Sequence, residues 1–281
     1  MVPFRFIFTI FLQNVTCFIL FIGLFGYLIS ICSKTFYKVV GNTQLACYMT
    51  GVIGTPIHEC AHALMCIVFR HKIHRICLFR IGDDGVLGFV EHSHNPKSIY
   101  QTIGNFFIGI APITVGGVVL LLLMRLMVPE LYFDFSGYIS DFIELSGDDF
   151  GIEWIYYALL LLRGLAISMV DYLITGDGWM IIYLVLALCI ALHMNLSGAD
   201  IKNALPAIPW LLLIFAVVNV VLGIFPVIYN AYVNISNVLG AYALCVLLIS
   251  LGFAVITALS AYLVKNLVSV AKKTILSKIK R

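Results

Sequence analysis

Long apolar runs constrain the fold of this chain more than any other feature. A helix needs about 20 apolar residues to cross the hydrocarbon core of a bilayer. Hydrophobic residues make up 62% of the chain and charged residues 11%, against roughly 25% charged in an ordinary soluble domain. The sequence therefore predicts an all-α multispanning membrane protein. Its apolar runs cover about residues 4–31, 45–69, 99–128, 154–174, 179–196, 211–229 and 238–264.

The segments between these runs are too short for a separate soluble domain. We therefore expect one integral-membrane domain over residues 1–281, with a core over 45–205 and a basic tail over 265–281. Lys and Arg are nowhere dense enough, or interleaved with aromatic residues, to indicate nucleic-acid binding. The eight cysteines form no CxxC pair, and most lie inside apolar runs, where they are interpreted as small apolar fillers.

The distribution of positive charge predicts the orientation of the chain. Segment 70–97 and the tail are rich in Lys and Arg, whereas segment 129–153 has none and contains seven acids. Because cytoplasmic loops carry the excess of Lys and Arg, we expect segment 70–97 and both termini to be cytoplasmic. A bacterial plasma membrane is the expected location.

The charges inside run 154–174 decide the expected number of crossings. Arg163 and Asp171 would each cost about 2.5–3.5 kcal/mol at the middle of a bilayer, so we expect this run at the outer interface. About six transmembrane helices remain, which is the number that leaves the basic tail in the cytoplasm.

A β-hairpin is predicted within the cytoplasmic segment, directly after the second apolar run. Residues 72–90 place branched and aromatic side chains on both sides of Asp83-Asp84-Gly85. Asp-Gly between such residues is a typical hairpin turn.

The motif His58-Glu59-Cys60-Ala61-His62 carries the strongest chemical signal. Residues at i and i+4 share one face of a helix, so His58 and His62 can both bind one metal ion. Glu59 lies beside them and can accept a proton from a water that the metal activates. Ionisable residues inside an apolar run are costly, which favours a functional site.

A third protein ligand is needed because catalytic zinc binds three protein ligands and keeps one position for water. Asp200 lies just past the run 179–196, at the depth expected for the motif, and its carboxylate would offset the charge of the metal. His193 lies seven residues earlier, about two helical turns, and is the alternative ligand or a group that polarises the substrate.

These features resemble the site-2 protease family of intramembrane zinc metalloproteases. The resemblance covers roughly residues 45–205 and depends on HExxH in the second apolar helix, the later Asp200, the hairpin segment, and Gly109-Ile-Ala-Pro112 in the third run. It identifies the chain as a divergent member. It implies a Zn²⁺ cofactor, a membrane-anchored protein or peptide substrate, and hydrolysis of peptide bonds within or near the bilayer.

Two other classes of function stay open at this point. Intramembrane His and Glu residues also suit a transporter or channel, although we find no inverted repeat of the kind that many transporters have. A catalytically inactive protease-like protein that binds a membrane partner is the other alternative. The remaining histidines around the hairpin are interpreted as polar groups at a membrane surface rather than as a second metal site; they are His71, His74, His92 and His94.

Overall fold

The computed structural model describes residues 2–41, 43–81, 86–146 and 152–279. A π-helical turn over Thr16–Leu20 joins the first two helices, and a 3₁₀ turn over Leu205–Ala207 joins α8 to α9. The elements are α1 (Phe4–Val15), α2 (Phe21–Val40), α3 (Thr43–Val68), β1 (Lys72–Cys77), β2 (Phe89–Ser93), α4 (Ile99–Met127), α5 (Pro129–Ser146), α6 (Ile152–Ile174), α7 (Gly178–His193), α8 (Gly198–Ala204), α9 (Ile208–Leu222) and α10 (Pro226–Ile279).

The predicted all-α multispanning fold is confirmed, because six helical segments are long and apolar enough to cross a membrane. Their membership differs from the prediction, which counted run 179–196 as a crossing and left out run 154–174. Segment Glu153–Ile174 is among the six, although Arg163 and Asp171 suggested an interfacial helix. By contrast, α7 has 16 residues and a length of about 24 Å, which is short for a bilayer core of about 30 Å.

The boundary between the last two runs was predicted wrongly. The run 211–229 contains a helix end, because α9 ends at Leu222 and α10 begins at Pro226. The turn between them consists of Gly223, Ile224 and Phe225. Hydropathy does not detect a turn made of such residues, whereas Pro226 is a signal for the first turn of a helix.

The helical segment made of α1 and α2 lies beside the long helix α10, and the two run in the same direction. Gln13 donates a hydrogen bond of 2.7 Å to Asn237, and Val40 and Lys265 line one groove at the other end of the pair. The start of the chain and its basic tail therefore lie at opposite ends of this helix pair. The packing does not support the expectation that both termini face the cytoplasm.

Helices α7 and α8 together form a discontinuous helix that runs antiparallel to α4. Tyr183 lies beside Leu120, Met194 packs at Gly116, and the backbone of Asp200 packs at Gly109. The break between the two helices spans Met194–Ser197. Irregular backbone inside an apolar protein is tolerated where it is buried against other helices or lines a site.

The predicted hairpin is present and extends three residues further than expected, to Ser93. Strand β1 pairs antiparallel with β2, from Lys72 opposite Ser93 to Cys77 opposite Phe89. The ladder continues toward the turn, where the Arg80 amide donates to the Leu87 carbonyl over 2.7 Å. The predicted turn at Asp83-Asp84-Gly85 lies outside the described residues.

The hairpin folds back along α3 instead of projecting away from it. Phe79 and Leu87 lie against Gly51, and Gly88 lies against Thr55 and Glu59. A side chain at position 88 would approach the Glu59 Cγ to 2.8 Å, so glycine allows this close approach. The hairpin thereby covers the same face of α3 that carries the glutamate of the motif.

Helix α3 packs against α4 and α7, and this three-helix group holds the motif. The contact between α3 and α7 depends on Gly54, because a Cβ there would overlap His193 Nδ1 and would lie 2.6 Å from the Cys189 carbonyl oxygen. The second of these atoms belongs to a helical backbone and cannot move independently. Gly54 therefore sets how closely α7 approaches the motif helix.

We expect Gly54→Ala to lower the stability of the folded protein by about 1–3 kcal/mol, the usual cost of overpacking a close contact. Gly23→Ala is the matched control, since a Cβ at position 23 meets nothing within 4 Å. Thermal unfolding of both variants in the same detergent provides the measurement. Equal midpoints for Gly54→Ala and wild type would show that α3 and α7 do not pack this closely.

Candidate metal centre

His58 and His62 lie one turn apart on α3, as the motif predicts. Their ring centroids are 4.8 Å apart, and the two Nε2 atoms are separated by 3.1 Å. His62 is buried, and the side chain of His58 is partly buried. The local geometry of one helix is therefore sufficient to bring two imidazole nitrogens to a common point.

Backbone carbonyl groups fix the orientation of both rings. His58 Nδ1 lies 2.6 Å from the His193 carbonyl oxygen, and His62 Nδ1 lies 2.8 Å from the Ile108 carbonyl oxygen. A carbonyl oxygen only accepts, so each Nδ1 carries the proton and donates it. In the neutral rings each Nε2 then presents a lone pair. Histidines that bind metals in proteins are usually held in this way.

Both carbonyl groups are available because neither has the normal helical donor. Pro112 has no amide hydrogen, so it cannot bond the Ile108 carbonyl four residues earlier in α4. His193 is the last residue of α7, where helical carbonyls lose their partners. The Ser197 amide, which would continue that helix, donates instead to Asp200.

Asp200 has two roles at the start of α8. Its Oδ2 accepts a hydrogen bond of 2.8 Å from the Ser197 amide, and the Ser197 hydroxyl accepts from the Asp200 amide in return. This capping box fixes the carboxylate. The other oxygen, Oδ1, lies 3.6 Å from His62 Nε2. Asp200 therefore caps its helix with one oxygen and faces the two histidines with the other.

The donor set of His58, His62 and Asp200 fits a tetrahedral zinc ion. One ligand atom from each residue lies within 4.8 Å of the other two. In a tetrahedral site with zinc–ligand distances of about 2.05 Å, neighbouring ligand atoms lie roughly 3.3 Å apart. The separations of 3.1 Å and 3.6 Å are close to this spacing. Two imidazoles and one carboxylate also leave a fourth position for water.

Glu59 lies beside this centre and beneath the hairpin. Its exposed fraction is 7%, and its side chain lies next to the backbone of Gly88. Glu59 and Asp200 are close enough for their carboxylates to interact electrostatically. The structure thus places the predicted general base beneath the hairpin and within electrostatic reach of Asp200.

The side chain of His193 lies outside the three-residue ligand group. Its Nδ1 donates to the Cys189 carbonyl over 3.0 Å, and its Nε2 lies 3.3 Å from the Tyr37 hydroxyl. The sequence analysis left His193 open as an alternative ligand. In the structure its backbone carbonyl contacts His58, while its ring is bonded elsewhere.

The supporting groups around the centre were not identified from the sequence. Gly109 was noted only as part of a family-like stretch, yet a Cβ there would lie 2.8 Å from the Asp200 carbonyl oxygen. Glycine at this position therefore lets α8 approach α4. The free carbonyl of Ile108 could have been predicted from the sequence, since a proline inside a helix always frees the carbonyl four residues earlier.

No protein-family model, curated protein or solved structure matches this chain.

We expect Asp200→Ala to lose zinc or bind it much more weakly, because two neutral imidazoles leave the charge of the ion uncompensated. His193→Ala retains the backbone carbonyl that orients His58 and is expected to keep zinc. Metal analysis of both purified variants distinguishes the two roles. Zinc retained in Asp200→Ala and lost in His193→Ala would reverse the assignment.

We expect Pro112→Ala to weaken zinc binding about 10- to 100-fold, the usual effect of changing a group that orients a metal ligand. Alanine restores an amide hydrogen that competes with His62 for the Ile108 carbonyl. Pro226→Ala is the control, because a proline in the first turn of a helix frees no bonded carbonyl. Competition with a zinc chelator measures the affinity. Wild-type affinity in Pro112→Ala would contradict this account of how His62 is oriented.

Proposed function

We propose that this chain is an intramembrane zinc metalloprotease of the site-2 protease type. The observation that carries the proposal is the convergence of two imidazole lone pairs and a carboxylate oxygen on one point, with a buried glutamate beside them. Three acceptors in a region of low dielectric repel one another unless a cation lies between them. The same set provides three ligands and a base, which is the composition of a catalytic zinc site.

His58, His62 and Asp200 would hold the zinc ion. When bound, zinc would act as a Lewis acid that polarises a peptide carbonyl, and it would lower the pKa of a water bound to it to about 7. Glu59 accepts the proton of the attacking water and delivers it to the amine of the leaving peptide. Burial of Glu59 beneath Gly88 keeps bulk water away from the carboxylate, and the capping box keeps Asp200 in a fixed position.

The hairpin provides a means of presenting an unwound substrate to Glu59. A peptide bond within a helix is shielded by its own hydrogen bonds, so a membrane-anchored substrate has to unwind before hydrolysis. An extended peptide that joins a strand edge replaces the lost helical hydrogen bonds with strand pairing. Gly88 of the hairpin lies against the Glu59 side chain, so a substrate strand paired at this position would place its backbone beside the base.

An apolar cavity of about 340 Å³ adjoins the centre at Asp200. Gly23 of α2, Gly109 of α4 and Ile201 of α8 line it, and Asp200 lies at its wall. A cavity of this composition suits the apolar side chains of a membrane-anchored peptide. The substrate class that we propose is therefore a transmembrane or membrane-anchored protein segment.

We expect Glu59→Gln to keep the fold and the zinc while lowering the rate of peptide hydrolysis about 10²- to 10⁴-fold, because the amide is no base and has nearly the same volume. The rate is measured with the full-length protein in liposomes that contain fluorescently labelled transmembrane peptides. Zinc content is determined on the same samples.

Glu130→Gln is the control for this variant, since Glu130 is exposed on α5, away from the centre. Its hydrolysis rate should equal that of wild type. Cleavage by Glu59→Gln at nearly the wild-type rate would show that Glu59 is not the base. Zinc-loaded wild type that cleaves none of the peptides would contradict the proposed protease function.

A further inference from the structure

A second group of potential metal ligands lies at the carboxyl end of α3. It consists of Cys66, His71 and His92, and one ligand atom from each lies within 4.8 Å of the others. None of these residues belongs to the candidate metal centre described above. Cys66 and His71 are buried, and His92 is partly buried.

The way in which α3 ends brings Cys66 and His71 together. The His71 amide donates to the Cys66 carbonyl over 2.8 Å, and the Arg70 amide donates to the Ile67 carbonyl over 3.1 Å. Arg70 has a φ of 55°, in the left-handed region that glycine usually occupies. This pattern is a Schellman motif, in which the residues at the positions of Cys66 and His71 normally make an apolar contact. Here a thiol and an imidazole occupy those two positions.

The hairpin supplies the third member of the group. His92 lies in β2 opposite Ile73, and its Nδ1 is 3.2 Å from His71 Nδ1. His71 Nε2 lies 2.9 Å from the Gln101 carbonyl oxygen and therefore donates to it. The lone pair of His71 is then on Nδ1, which faces the group. This repeats the arrangement of the first centre, where one ring nitrogen is fixed by a carbonyl and the other is directed inward.

Gln101 also connects the elements around this group. Its side-chain amide donates to the Arg70 carbonyl over 2.8 Å, and its side-chain oxygen accepts from the Asn95 amide over 2.6 Å. The end of α3, the exit of the hairpin and the start of α4 are thereby held together. The backbone segments that carry the three potential ligands are thus held next to one another.

We propose that Cys66, His71 and His92 form a second zinc site that fastens the hairpin to the end of α3. A thiolate and two imidazoles are ligands that zinc prefers, and the thiolate supplies negative charge inside a buried site. The site is independent of whether the first centre is catalytic.

Cobalt substitution tests this proposal, because cobalt replaces zinc and reports the ligand type. The metal-free full-length protein in detergent is titrated with Co²⁺ and followed by absorption. Only the second site contains a thiolate, so it alone should give a thiolate-to-cobalt charge-transfer band. We expect two equivalents per wild-type chain, one in Cys66→Ser without the band, and one in His58→Ala with the band intact.

Two controls separate this site from other cysteines and histidines. Cys47→Ser, in the same helix but outside both groups, should keep the band. His74→Ala is the matched control for His92→Ala, since His74 lies in the same hairpin and bonds Ser93 instead. We expect His74→Ala to bind two equivalents and His92→Ala one.

The outcomes distinguish this proposal from the proposed protease centre. A wild-type chain without the charge-transfer band, or a band that survives in both Cys66→Ser and His92→Ala, would overturn the second site and leave the first unaffected. In that case a direct hydrogen bond between His71 and His92 accounts for their contact. One equivalent with the band in wild type would instead support the second site and contradict the first. His92→Ala keeps the test valid even if Cys66→Ser fails to fold.

Discussion

Two imidazoles and a carboxylate direct their lone pairs at one point inside an apolar helix bundle, and the backbone around them holds this arrangement. Three acceptors in a medium of low dielectric are unfavourable unless a cation lies among them. The arrangement persists because each of the three side chains is fixed from outside. Carbonyl groups hold His58 and His62, and a capping box holds Asp200. The proposed zinc ion would therefore enter a site whose ligands are already in place.

Most of this fixation comes from the backbone. The carbonyl that orients His62 is freed by Pro112, and the one that orients His58 is freed because α7 ends at His193. Gly54 and Gly109 bring α7 and α8 close enough to α3 and α4 for these groups to meet. A change of side chain at a residue that contributes through its carbonyl leaves that carbonyl in place, whereas a change at Pro112, Gly54 or Gly109 alters the backbone that releases or admits it. The sensitive positions around the centre are thus partly residues without functional groups.

The hairpin connects the two proposed metal sites. Near its turn, Gly88 lies over Glu59, and at its open end His92 contacts His71. A metal ion bound by Cys66, His71 and His92 would fix the open end and so limit the movement of the strand above the proposed base. The two sites would then share one structural element while using different ligands.

The sequence by itself determined the features that depend on neighbouring residues. Helices follow from apolar runs because a backbone in a bilayer must satisfy its own hydrogen bonds. The HExxH motif sets the pairing of His58 and His62 through helical spacing. A hairpin follows from Asp-Gly between β-forming residues. Only the tertiary structure decided which distant groups meet. It placed the Asp200 carboxylate rather than the His193 ring with the two histidines, and it made the first and last long helices parallel. Such contacts join segments more than a hundred residues apart, and they are set by packing at positions such as Gly54 and Gly109, which no local pattern reveals.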